Sequence, residues 1–330
     1  MLTRLVLTFT LALAASAPAL AQQNPTLTVY TYDAFAADWG PGPALKTGFE
    51  QTCACTLEFV AADSSIGALR RVQLEGENTN ADIVLGLDTS IVGEALATGL
   101  FAPHKVDTGA LRVPENWRSP VFVPFDYGYF AMVYNTELMP TPPTSFEKLA
   151  GNPDLKIVIQ DPRSSTPGMG LMLWIKAAYG DDAEEAWPEI APRVLTLTRS
   201  WSEAYALFLA GEADMVLSYT TSPAYHLMVE NDPRFAAAPF REGHYTQIEV
   251  AGILSSSPNK QLANDFLTYL ISPEAQVFIP TTNWMYPVAD IELPAGFDTL
   301  FVPQKTLLLD DETVTENAAR WIGEMLKSFE

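Results

Sequence analysis

Two stretches of the chain bring hydroxyl side chains to the point where a strand gives way to a helix. In IQDPRSSTPGMG, residues 159–170, an apolar strand over 156–159 runs into Asp161-Pro162. Ser164, Ser165 and Thr166 follow, then Pro167 and Gly168, and a helix is expected over 168–179. Ser165 or Thr166 can cap that helix, with Pro167 at its first turn. A helix start leaves backbone N–H groups without partners and carries partial positive charge. One cap needs one hydroxyl, and three are present, so the surplus suits an anion such as a phosphate. ADMVLSYTTSPAYH, residues 213–226, repeats the arrangement: a strand over 214–217, then Ser218, Tyr219, Thr220, Thr221 and Ser222, then Pro223 and a helix over 223–229. Tyr219 and Tyr225 flank this second turn, either as core aromatics or as rings offered to a flat ligand.

Further aromatics fall at strand ends or in loops: Tyr32, Trp39, Trp201 and Trp284. Such rings plug cores, or they hold a flat cation by stacking and cation–π attraction at ~0.5–2 kcal/mol each. Catalytic motifs are missing. There is no Gly-x-Ser-x-Gly elbow and no His-Glu-x-x-His. His104, His226 and His244 lack metal-ligand spacing, and Gly168-x-Gly170 lacks the third glycine of a dinucleotide loop. The expectation is capture without turnover, with no catalytic residue, resident metal or cofactor.

The composition fits that expectation. A chain of 330 residues allows one large or two medium domains, and 48% hydrophobic content with 18% charged residues supports a packed core. The net charge of −21 argues against nucleic acid, whose binding depends on Lys and Arg at phosphates. It favours the approach of a cation, or serves solubility alone. Residues 1–21 read as a secretory signal: Arg4, an apolar run from Leu5 to Ala15, and Ala19-Leu20-Ala21 as cleavage site. The apolar run is short of the ~20 residues needed to span a bilayer, so export to a bacterial periplasm is expected. Cys53 and Cys55 are the two cysteines. An oxidising compartment would pair them, but one intervening residue makes a small, strained ring, so a reactive thiol or a metal site is the sharper reading.

The elements that must position these residues alternate. Strands are expected at 26–30, 56–60 and 82–85, with helices near 43–51 and over 66–75 between them. Residues 135–244 hold a second set, including a strand at 194–198 and a helix over 202–210. Helices over 260–271 and 314–328 follow. This order implies an α/β fold with parallel pairing. Two long β-rich runs, 121–134 and 245–254, separate the sets. The chain is therefore expected to leave one α/β lobe, build a second and return, with two crossing strands as a hinge. Ligands in such sheets bind at the carboxyl ends of strands.

Longer blocks carry a resemblance. LTVYTYDAFAADWGPGPALKTGFE, ADIVLGLD, PFDYGYFAMVYN, QDPRSSTPGMGLMLW, WSEAYALFLAGEADMVLSYTTSPAYH and IPTTNWMYPVA resemble the bacterial thiamine-binding periplasmic proteins over about residues 25–300, and LANDFLTYLISPEAQ resembles solute receptors of transporters more generally. The resemblance implies a type II periplasmic binding fold: signal peptide 1–21, a discontinuous N-terminal lobe of 22–124 and 252–330, and a C-terminal lobe of 125–251. It implies capture of thiamine, thiamine monophosphate and thiamine diphosphate by a monomer that delivers them to the membrane permease of an ABC transporter. Ser165 and Thr166 match the family's ligand-contacting hydroxyls, and Trp201 matches its Trp before Ser-Glu-Ala-Tyr. Tyr219, Thr220, Thr221, Ser222 and Pro223 match its binding turn, with Tyr225 just beyond, while Tyr32 and Trp284 match aromatics of its cleft. Where the family has Asp-Gly after the second strand, this chain has Asp63-Ser64-Ser65, and Asp63 is expected to supply the carboxylate. Two rivals stand beside this reading: a thiaminase-like enzyme using Cys53 or Cys55, and a ferric-ion receptor using Tyr219 and Tyr225.

Overall fold

The computed structural model describes residues 24–330. The expected signal peptide, 1–21, lies outside the described residues. The chain begins as β1 (Thr26–Tyr32), α1 (Asp33–Ala36), α2 (Gly42–Cys53), β2 (Thr56–Ala62), α3 (Ser65–Glu75), β3 (Ile83–Asp88), α4 (Val92–Ala97) and β4 (Phe101–Ala102). The long strand β5 (Phe122–Asn135) leads to α5 (Phe146–Ala150), β6 (Ile157–Gln160), α6 (Thr166–Tyr179), α7 (Ala183–Ile190), β7 (Val194–Thr198), α8 (Trp201–Leu209), β8 (Met215–Tyr219), α9 (Pro223–Tyr225) and β9 (Phe235–Ala237). A second long strand, β10 (His244–Leu254), returns the chain to α10 (Lys260–Leu270), α11 (Pro273–Gln276), β11 (Tyr286–Pro287), β12 (Thr306–Leu307) and α12 (Asp311–Lys327).

The main sheet path runs β2-β1-β3-β10-β5-β8-β6-β7. β1 pairs in parallel with β2 and β3, and β6 in parallel with β7 and β8, as strand–helix–strand order requires. Between these parallel sets β10 and β5 run antiparallel. The first half of β5 pairs with β10 (Phe122↔Gly252 through Tyr129↔Thr246), and its second half pairs with β8 (Phe130↔Tyr219 through Tyr134↔Met215). One strand thus belongs to both halves of the molecule, and Gly128 sits next to the changeover. A Cβ there would lie 2.7 Å from Met285 Cε, so a larger residue would have to displace the Met285 side chain.

β10 is buried along all of its eleven residues. His244 anchors its start: Nδ1–H donates to the Phe130 carbonyl at 2.7 Å, and Nε2 accepts from the Phe240 N–H at 3.1 Å. Burial lowers the His244 pKa to about 4, which keeps the ring neutral for that pair of bonds. The C-terminal helix α12 packs on α4 and also on α6 and α7, so the end of the chain bridges the two parallel sets. Its expected start at 314 moves to Asp311 because Asp310 caps it, accepting from the Thr313 N–H at 2.8 Å. The helix expected over 223–229 is shorter: α9 ends at Tyr225 and a wider turn covers His226–Glu230.

Cys53 and Cys55 form a disulfide with their Cα atoms 5.1 Å apart. This corrects the reactive-thiol and metal readings. Ala54, between them, adopts φ 48°, and that left-handed turn brings two near neighbours into bonding range. No helix among the described residues is long and apolar enough to cross a membrane.

Candidate functional site

The carboxyl ends of β1, β2, β6 and β8 open on one cavity of about 420 Å³. Eleven of the fourteen residues matched through the resemblance line it: Tyr32, Asp63, Ser64, Ser65, Ser165, Thr166, Trp201, Tyr219, Ser222, Tyr225 and Trp284; Trp39 lines it too. Thr220, Thr221 and Pro223 stand behind the wall, buried, and the lining does not include them. The Thr220 N–H donates to the Tyr129 carbonyl at 2.9 Å, which ties the turn to β5 and faces that residue inward.

The β6–α6 turn is built as its sequence suggests. Ser165 is the cap position of α6, in extended conformation, and its hydroxyl makes no capping bond. The Oγ–H of Ser165 and the free N–H groups of the first turn are therefore available to an acceptor, while the Thr166 hydroxyl, which lines the same cavity, also lies near enough to Asp88 to offset part of the rise that burial imposes on its carboxyl. Gly168 lets the helix press on β6: a Cβ there would lie 2.4 Å from the Gln160 carbonyl oxygen. At the β8 turn, the Ser222 hydroxyl accepts from the Tyr219 N–H at 3.1 Å and contacts Ser218 Oγ at 2.6 Å. Trp201 Nε1–H donates to Ser218 Oγ at 2.8 Å, and its ring stacks on Tyr205 at 4.8 Å. Trp284 meets Tyr225 edge to face at 5.4 Å. These pairs fix ring planes before any ligand arrives.

The electrostatics are set by acids. Asp63 is exposed and lies 3.7 Å from Arg199, so its charge is screened at the surface. Asp33 also lines the cavity, and burial raises its pKa above the ordinary carboxylate value. The buried acid is one that the sequence reading missed. Glu249, on β10, reaches the cavity wall and accepts from the Tyr32 hydroxyl at 2.9 Å. Burial, then the Asp126 charge, hold its carboxyl well above the ordinary range. Burial, then Glu249, likewise raise the Tyr32 phenol, so it remains a neutral donor. Asn283, missed as well, donates from Nδ2 to Asp126 at 2.6 Å, and its Oδ1 lies 3.1 Å from the Tyr32 oxygen, whose single hydrogen it shares with the nearer Glu249. A glutamate as the one charged residue inside the β-rich run YTQIEVAGIL was the available signal for Glu249; nothing local marks Asn283.

The cavity therefore offers aromatic faces, a hydroxyl-rich helix start and a buried carboxylate. That set suits a flat cation with an anionic or hydroxyl-bearing arm. No group of three or more His, Cys, Asp or Glu is arranged to hold a metal among the described residues. The Cys53–Cys55 disulfide lies outside the lining and presents no thiol to it.

Comparison with known proteins agrees with this geometry. The family model for bacterial extracellular solute-binding proteins matches residues 24–277. The thiamine-binding periplasmic protein of Salmonella typhimurium is 50% identical over 315 residues, 95% of this chain and 96% of that one. Its counterpart in Haemophilus influenzae is 44% identical over 311 residues, 93% of each chain. A solved periplasmic thiamin binding protein superposes with a TM-score of 0.91 at 49% identity, covering 93% of this chain and 97% of that one. The ferric binding protein from Campylobacter jejuni, at TM-score 0.73 and 19% identity, shares the fold alone. These relatives are named as binding proteins. The chain belongs to the bacterial extracellular solute-binding proteins, of type II periplasmic fold, and within them to the thiamine-binding periplasmic proteins.

Proposed function

We propose that this protein captures thiamine and its mono- and diphosphate in the periplasm and hands them to the permease of an ABC transporter. The observation that carries the reading is the convergence, on one cleft, of rings from both halves of the molecule with a buried carboxylate and an uncapped helix start. Tyr32, Trp284, Trp201, Tyr219 and Tyr225 would hold the pyrimidine and thiazolium rings. Glu249 would face the cationic part. Ser165 and Thr166, with the first turn of α6, would take the phosphate or the free hydroxyl. Residues 22–124 with 252–330 and residues 125–251 would be the closing units, with β5 and β10 as the hinge. Each contributes part of the site, so ligand gains its full contacts only in the shut form and shifts the equilibrium toward it. The protein would act as a monomer and need no cofactor.

Mass spectrometry of the small molecule that co-purifies with the folded protein tests this reading. The masses of thiamine or its phosphate esters are expected. A different solute retained at stoichiometric amount would replace the assignment.

A further inference from the structure

Glu249 does not stand alone. In the β3–β10–β5 register its Cα is paired with Asp88 on one side and with Asp126 on the other. Cross-strand partners share a face with Cβ atoms ~5 Å apart, and like charges so placed repel. Three carboxylates thus form a row across three adjacent strands, and all three are buried. No Lys, Arg or His pairs with any of them among the described residues.

The row is unevenly supplied with donors. Asp88 accepts from the Ser90 N–H at 2.9 Å, from the Ser90 hydroxyl and from Gln247 Nε2 at 2.5 Å. Glu249 and Asp126 have only Tyr32 and Asn283. Asn283 Nδ2 divides its bond between Asp126 at 2.6 Å and Glu249 at 3.3 Å. The other oxygen of Asp126, Oδ1, is buried with no donor at all. The remaining titratable group facing the pair is the buried phenol of Tyr219, from β8, which is neutral. Two adjacent buried carboxylates with two donors between them cannot both hold full charge, so one proton must lie between them. Burial pushes the Asp126 carboxyl up to about 7, which agrees with a proton held there.

One end of this pair, Glu249, opens on the ligand cavity; the other, Asp126, is sealed behind it. We propose that a cationic ligand binds by displacing the proton that Glu249 and Asp126 share. The empty site carries one negative charge on the pair and the occupied site two. The proton leaves to water, and the ligand's positive charge takes its place, so charge balances. The cleft is thereby selective for a permanent cation over a neutral isostere, because a neutral ligand leaves the proton in place. This inference rests on the reading of the ligand as thiamine.

Calorimetry of the ligand-stripped protein with thiamine, in two buffers of equal pH but different ionisation heat, tests it. At about pH 6.5 the apparent heats should differ by an amount corresponding to release of roughly half to one proton per ligand bound. Affinity should rise with pH by up to about tenfold per unit between roughly pH 5 and 7, and level off above. D126N removes the neighbouring charge but not the burial that raises Glu249, so it should reduce the release and move the pH profile to lower pH. E249Q, which takes the carboxylate off the cavity wall, should abolish the release, flatten the profile and weaken binding at least about tenfold at neutral pH. Binding of thiamine with equal heats in both buffers and no pH dependence would overturn the shared proton while leaving the proposed function standing. Absence of any thiamine binding would overturn both.

Discussion

Ser64 and Ser164 meet across the cleft: the Ser64 hydroxyl donates to the Ser164 carbonyl at 2.5 Å and so joins the β2–α3 turn to the β6–α6 turn. The same oxygen caps α3, accepting from the Gly67 N–H at 3.0 Å. One side chain therefore serves both a local helix and the contact between the two turns. S64A is expected to cost about 1 kcal/mol of stability through the cap. It should also speed ligand dissociation several-fold, as stopped-flow fluorescence would read. S145A removes the cap of α5, a Ser145 hydroxyl bonded to the Lys148 N–H at 3.1 Å and remote from the cleft. It should lose similar stability in urea titration without changing the dissociation rate. Equal dissociation rates for both variants would deny the cross-cleft role.

Trp284 holds its ring in the cavity from a backbone at φ 56°, a left-handed position that costs a bulky residue roughly 1 kcal/mol. W284A should weaken thiamine binding at least about tenfold through loss of the stacking face. W284G should lose binding equally yet be more stable than W284A by about 0.5–1 kcal/mol, since glycine accepts that conformation freely. Thermal melts and titration calorimetry on the pair separate ring from backbone.

Ser165 and Thr166 front the open start of α6. The double variant S165A/T166A is expected to weaken thiamine monophosphate by about 2–3 kcal/mol and thiamine itself by less than half of that, because a charged acceptor gains more from each donor than a neutral hydroxyl does. Competition binding measures both. Equal losses would remove the anion from this turn.

The Asp126–Glu249 pair also fixes a pH dependence of stability. The Asp126 carboxyl titrates at about 7 in the fold against an ordinary 3.8, so between those values the folded state holds a proton that the unfolded chain has lost. Its contribution favours the fold at low pH and is lost as pH rises through about 7. D126N cannot ionise. Its melting temperature relative to the parent protein should therefore increase from about pH 5 to about pH 8.5, by roughly 2 °C or more. A constant or falling difference would show that Asp126 is ionised throughout.

What the sequence disclosed was local. The two hydroxyl-rich turns, 164–166 and 218–222, were readable because capping and turn chemistry depend on neighbours along the chain. The lobes and the crossing strands followed from the order of apolar runs. The phase of a turn was less legible. Thr220 and Thr221 carry the same hydroxyl as Ser222, yet both are fully buried behind the wall, where the Thr220 N–H ties the turn to β5. The charged floor was the least legible. Asp88, Asp126 and Glu249 are far apart in the chain and meet only through strand register, which pattern alone does not specify. Asp63, the local candidate for the carboxylate, is exposed beside Arg199, while the buried acid arrives from β10.

Titration calorimetry of unfolded, ligand-stripped and refolded protein with thiamine tests the central claim most directly. The account predicts saturable heat at one ligand per chain, strongly reduced in W284A and in E249Q. A refolded protein that produces no heat with thiamine or either phosphate ester would contradict it.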